Sequence, residues 1–131
     1  MNTRLLLVAS SAVLGAAGLA ALFAPAELLN ALRAAPTEPL PVLIQLLGAL
    51  SLAFAMANWT AKDSLIGGIY ARPLSLGNLL HFVVGTLALL KHQLATGFQG
   101  SLTAVLVIYA IFAVGFSYLV FGRGAAGKVG A

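Results

Sequence analysis

The chain has 131 residues, of which 61% are hydrophobic and 8% charged. A soluble domain carries about 25% charged residues to wet its surface, so this composition argues against a water-facing globule and for hydrocarbon around most of the molecule. The chain has no cysteine, which removes disulfides, thiolate metal sites, iron–sulfur clusters and thiol redox chemistry. The net charge of +4 rests on seven scattered Lys and Arg. They form no footprint for nucleic acid and suit topology control at an anionic leaflet instead.

Four apolar stretches follow one another, at residues 5–24, 41–61, 74–90 and 102–121. Each is long enough at about 1.5 Å per residue to cross a hydrocarbon core of about 30 Å. None alternates apolar and polar as a barrel strand does, so helices are expected. The expected fold is all-α: one transmembrane domain, an up-down membrane four-helix bundle with a short interfacial helix between its first two spans.

The first stretch, after Arg4, ends at Ala24-Pro25-Ala26 and has the outline of a signal peptide. Its length of about 20 residues favours retention as a membrane helix. Pro25 suits the opening of a short helix. Over residues 26–34, Leu28, Leu29 and Leu32 share a face, while Glu27, Asn30 and Arg33 lie elsewhere, which suits an amphipathic piece on the interface. Pro36, Pro39 and Pro41 are expected to keep the chain extended up to the second span.

The second connection carries Asp63, a candidate turn cap, then Gly67-Gly68 and Arg72-Pro73. The third runs from Lys91 to Ser101 and reads as a polar outer connection. The tail, residues 122–131, is small, basic and glycine-rich, so a flexible end is expected. Arg4, Lys62, Arg72, Arg123 and Lys128 fall on one side of the spans, and Arg33 and Lys91 on the other. This excess predicts a multi-pass protein with both termini and the second connection cytoplasmic.

Lipid is as apolar as leucine, so helix association needs small residues and polar contacts. Ser11, Gly15 and Gly18 in the first span, with Ala17 and Ala21 close by, predict one seam. Ala49, Ala53 and Ala57, with Gly48 beside them, predict another in the second span. In the fourth span Tyr109, Phe112, Phe116 and Val120 form a bulky stripe, expected to face lipid or a partner protomer.

Polar groups inside a membrane are costly and mark candidate sites. Ser75, Asn78, His81 and Gly85 share a helix face. Antiparallel neighbours would bring Asn58 to the depth of Asn78. The candidate polar pocket is therefore Asn58, Tyr70, Arg72, Asn78 and His81, on the cytoplasmic side. There Arg72 would hold an anionic headgroup or carboxylate and His81 a proton. The alternative is interhelical hydrogen bonding, with Trp59 and Tyr70 as interfacial anchors. Gln45 is placed to bond across helices or to snorkel.

His92 lies about 16 Å along the axis from His81 and cannot share a metal with it. No phosphate loop, metal pair or Ser–His–Asp set is legible, and no acidic residue lies within a span. Catalytic residues and cofactors are accordingly not expected. Arg4-Leu-Leu-Leu, Leu22-Phe-Ala-Pro25, Leu47-Gly-Ala-Leu50 leading to Asn58-Trp59, and Leu76-Gly-Asn78 together resemble bacterial four-helix membrane proteins related to the DoxX-like group. That resemblance implies a four-span inner-membrane protein and brings no catalytic residues.

The functional expectation is a non-enzymatic protein that binds lipid or a partner, as a homo-oligomer or an accessory subunit of a larger complex. A small channel or transporter lined by Asn58, Asn78 and His81 is the alternative.

Overall fold

The computed structural model describes residues 2–63 and 71–122. Among them the regular structure is helical, as expected. There are four long apolar helices, each long and apolar enough to cross a membrane, and one short helix. Their contacts divide into two units, one holding the first three helices and one the last two. The tail residues 123–131 and the Gly67-Gly68 pair lie outside the described residues.

In the first unit, α1 spans Thr3–Phe23. Asn2 caps it, its Oδ1 accepting from the Arg4 and Leu5 amides at 3.1 and 3.4 Å. Pro25 ends it, because a residue before proline is forced off helical geometry; Ala24 sits at φ −136°, ψ 55°. Pro25 then opens α2, Pro25–Ala31, as its fixed φ favours. Leu29 is buried on one face of α2 while Glu27 and Asn30 are exposed. Arg33 follows with φ 58°. Its amide reaches Asn30 O at 2.9 Å and the Ala34 amide reaches Leu29 O at 2.8 Å. This is the double bond pattern of a Schellman end, with arginine where glycine is usual.

The prolines do not simply extend the chain into the second span. Thr37 N bonds to Ala35 O and Leu40 N to Thr37 O, at 2.8 and 2.9 Å, so the segment turns. Pro41 lies inside the first turn of α3, Leu40–Ala61, where a missing N–H costs nothing.

α1 and α3 run antiparallel. Ser11 Oγ donates to Ala55 O (2.7 Å), Asn58 Nδ2 to Ser10 Oγ (3.0 Å) and Gln45 Nε2 to Leu22 O (3.2 Å), so the two numberings run in opposite directions. Gly18 and Gly48 face each other. A Cβ on Gly18 would lie 2.9 Å from Gly48 O, and one on Gly48 would lie 2.9 Å from Gly18 O. Ser11, Gly18 and Ala21 supply the α1 side of the seam, as expected. The α3 side differs from expectation: Ala49 and Ala53 are exposed, and the buried row is Gly48, Ser51, Ala55 and Asn58. Burying Asn58 gives its amide the Ser10 hydroxyl as partner, Ser51 returns its hydroxyl to Leu47 O of its own helix, and only glycine admits the close backbone crossing.

In the second unit, α4 spans Ala71–Thr96 and α5 spans Gly100–Ser117, the latter running on into a π-helical turn, Tyr118–Gly122. α4 outlasts its apolar stretch at both described ends. An apolar run measures hydrocarbon thickness, whereas Lys91, His92 and Gln93 continue helical hydrogen bonding beyond it. Gly97, at φ +92°, stops it, its amide bonding to Gln93 O at 2.8 Å. The third connection thus shortens to residues 97–99.

The bulky stripe of α5 faces neither lipid nor a partner in the way expected. Phe116 is fully buried and Phe112 is buried, both stacked on the fully buried Phe82 of α4 at centroid distances of 5.7 and 4.9 Å. Tyr109 meets Phe82 edge-on at 5.2 Å and crosses α4 at Gly85, where a Cβ would come within 2.6 Å of its ring. Rings this large need a partner surface with a glycine gap, and α4 supplies both.

Candidate functional site

Asn58 belongs to the first unit, whereas Arg72, Asn78 and His81 belong to the second. Tyr70 lies outside the described residues. Each group is therefore built up within its own unit.

Asn58 is fully buried near the C-terminal end of α3. Its Nδ2 donates to Ser10 Oγ, whose hydroxyl donates in turn to Leu7 O at 3.0 Å. This short chain of bonds returns two buried side chains to a backbone carbonyl. Ser11 repeats the device one residue on, bonding across to Ala55 O. At the same end of the unit, Arg4 Nε stands 3.0 Å from Asp63 Oδ1, and Lys62 Nζ stands 3.6 Å from Oδ2 and 4.0 Å from the Trp59 ring centroid. Arg4 and Asp63 are well exposed, so this pair adds little stability in water.

In the second unit, Arg72 is exposed in the first turn of α4. Asn78 is fully buried and donates Nδ2 to Leu74 O at 2.9 Å. One turn on, His81 Nε2 lies 3.1 Å from Tyr109 OH, with its ring 5.1 Å from Phe82 and 5.4 Å from Tyr109. Which of the two donates depends on the imidazole tautomer. The arrangement is a polar contact set into an aromatic cluster. Ser75 bonds its own helix, to Ala71 O at 2.8 Å.

Tyr109 was missed as a polar partner because its place in a bulky stripe hid its hydroxyl. A second contact was missed at the far end of the unit. Gln93 is 1% exposed and accepts through Oε1 from Thr103 Oγ at 2.7 Å. Its signal was spacing: Gln93 lies eleven residues beyond Phe82 and so on the same face of α4. Gln45 bonds across helices to Leu22 O, the first of the two roles expected for it. Among the described residues, no group of three or more His, Asp or Glu converges to hold a metal.

Comparison with protein-family models, curated proteins and solved structures finds no match for this chain. The DoxX-like resemblance therefore rests on the sequence fragments alone. What stands is an all-α chain with four candidate membrane-spanning helices.

Proposed function

We propose that this chain is a non-enzymatic, multi-pass membrane protein that binds lipid or a protein partner, acting as a homo-oligomer or as an accessory subunit. One observation carries the reading: buried and half-buried polar side chains in both units bond across their helix pairs. Ser11 and Asn58 do so between α1 and α3, and His81 and Gln93 between α4 and α5. Groups committed in this way hold helices together, and catalysis needs reactive groups aimed at a substrate instead.

Both termini are read as cytoplasmic from the bias of Lys and Arg toward one side, and the membrane as a bacterial inner membrane from the DoxX-like resemblance alone. Because the chain lacks cysteine, single cysteines at Thr37 and Lys62 can report sidedness directly. The reading requires labelling of Thr37→Cys from outside and of Lys62→Cys from inside only.

Purification in mild detergent followed by mass spectrometry tests the functional reading. Stoichiometric phospholipid or a defined protein partner is expected, and turnover of a lipid or quinone by the purified chain would remove it. Conduction of a small solute is the runner-up, motivated by Asn78 and His81 one turn apart on α4. Liposome flux that persists unchanged in Asn78→Leu and His81→Leu counts against that alternative.

A further inference from the structure

Two cations from different helices meet at the end of the first unit where α1 begins and α3 ends. Arg4 lies in the first turn of α1, and Lys62 follows the last residue of α3. Both face one carboxylate, with Arg4 Nε 3.0 Å from Asp63 Oδ1 and Lys62 Nζ 3.6 Å from Oδ2. Two positive charges against one negative leave a positive charge over. The contact to Lys62 is too long for a good hydrogen bond, and a guanidinium has more N–H donors than one carboxylate oxygen accepts from. The cluster therefore holds more charge and more donors than Asp63 can use.

Lys62 is not a freely moving surface lysine. Its side chain is 20% exposed. Its ammonium donates to Trp59 O at 3.2 Å and stands 4.0 Å from the centroid of the Trp59 ring. Held there, it has less rotamer freedom to lose on meeting a ligand. Asp63, by contrast, is well exposed. An exposed ion pair is weak in water, so exchanging its carboxylate for another anion costs little.

The place of the cluster selects the anion. It stands where two helices, each long and apolar enough to cross a membrane, come to an end. Trp59 is 49% exposed there, as suits an indole at headgroup depth. Leu5, beside Arg4, and Met56, one turn inward of Trp59 on α3, are also well exposed and offer acyl chains an apolar surface. With the termini cytoplasmic, as proposed above, this end meets the anionic leaflet.

We propose that Arg4 and Lys62 form a binding site for the phosphate of an anionic phospholipid, and that Asp63 is a built-in competitor that releases the two cations when lipid arrives. A phosphodiester cancels the surplus positive charge, whereas a zwitterionic headgroup brings no net charge and leaves it. The site rests on the lipid-binding reading above and gives it an address.

The full chain in detergent is titrated by native mass spectrometry with phosphatidylglycerol and with phosphatidylethanolamine of the same acyl chains, and inorganic phosphate is added as a competitor. Arg4→Gln and Lys62→Gln each remove one cation, and Asp63→Asn removes the competitor. Arg33→Gln and Glu38→Gln make the same changes in net charge away from the cluster. Circular dichroism confirms unchanged helicity in each variant. Phosphatidylglycerol is expected to bind more tightly than phosphatidylethanolamine. Arg4→Gln and Lys62→Gln should each bind it about fivefold more weakly, as loss of one basic group near an anionic surface implies. Asp63→Asn should bind it more tightly, a gain that a damaged fold cannot produce, and the Arg33 and Glu38 variants should bind like wild type.

Equal binding of phosphatidylglycerol by wild type, Arg4→Gln and Lys62→Gln overturns the site while leaving the lipid-binding reading standing. Arg33→Gln and Glu38→Gln matching their counterparts would show that net charge alone is sensed, and overturns it as well. So does weaker binding by Asp63→Asn, or phosphatidylethanolamine binding as tightly as phosphatidylglycerol. Inorganic phosphate that displaces the lipid from below the lipid's own concentration makes the free ion the ligand and overturns the lipid assignment. If the wild-type chain binds neither lipid, the site and the lipid arm of the proposed function fall together.

Discussion

At the scale of single residues, three positions carry consequences out of proportion to their size. Gly18 and Gly48 set how closely α1 and α3 approach, since a Cβ on either meets the other's backbone carbonyl at 2.9 Å. Backbone cannot move aside as a flexible side chain does. Gly18→Ala and Gly48→Ala are each expected to destabilise the first unit by about 1–3 kcal/mol. The double variant should cost less than the sum, because one separation relieves both clashes. Thermal melts in detergent check this, and strict additivity would show that the two glycines do not share a crossing. Arg33 is the opposite case. It holds φ 58° at the end of α2, a conformation glycine adopts freely. Arg33→Gly should raise stability by about 1 kcal/mol in the same melts; a loss would mean that the arginine side chain contributes more than its backbone costs.

At the scale of elements, the hairpin of α4 and α5 is organised by Phe82. Phe112 and Phe116 stack on it, and Tyr109 adds an edge contact and a hydrogen bond to His81. Tyr109→Phe keeps the ring and loses only the hydroxyl, so it should cost about 0.6 kcal/mol, the usual size of an interhelical hydrogen bond in a membrane. Phe82→Ala removes the ring that four others pack on, those of His81, Tyr109, Phe112 and Phe116, and should cost about 3–5 kcal/mol. Similar effects of the two on unfolding in detergent would place the hairpin's stability in the polar contact instead.

The number and type of the long helices were legible in the sequence because hydrocarbon thickness imposes a run length that composition reveals. Which faces pack was only half legible. The α1 seam was readable because Ser11 and Gly18 have no other reason to share a face. The α3 seam was not, because the Ala49 and Ala53 stripe is built of small residues like the true row, which is set apart by Gly48 at the crossing and by Asn58 with a partner on α1. In the candidate site, the polarity of Asn58, Asn78 and His81 was plain. Their partners were not, since Ser10 and Tyr109 lie 48 and 28 residues away in the chain, and pairing over that distance is settled by tertiary packing.

At the scale of the whole molecule, the surface decides the solvent. In the first unit Leu46 and Met56 are 64% and 61% exposed, and in the second Ile111 and Val114 are 64% and 71% exposed. Large apolar side chains are exposed along every long helix, whereas a soluble monomer confines such surface to patches of a few hundred Å². The buried interior, by contrast, includes Ser10, Asn58 and Asn78. Apolar outside and locally satisfied polar inside is the distribution expected when hydrocarbon is the solvent.

Alkaline carbonate extraction of membranes from cells expressing the chain tests that claim most directly. The account predicts that the protein stays in the membrane pellet and enters solution only with detergent. Release into the carbonate supernatant, as a monodisperse species stable in plain buffer, would contradict it.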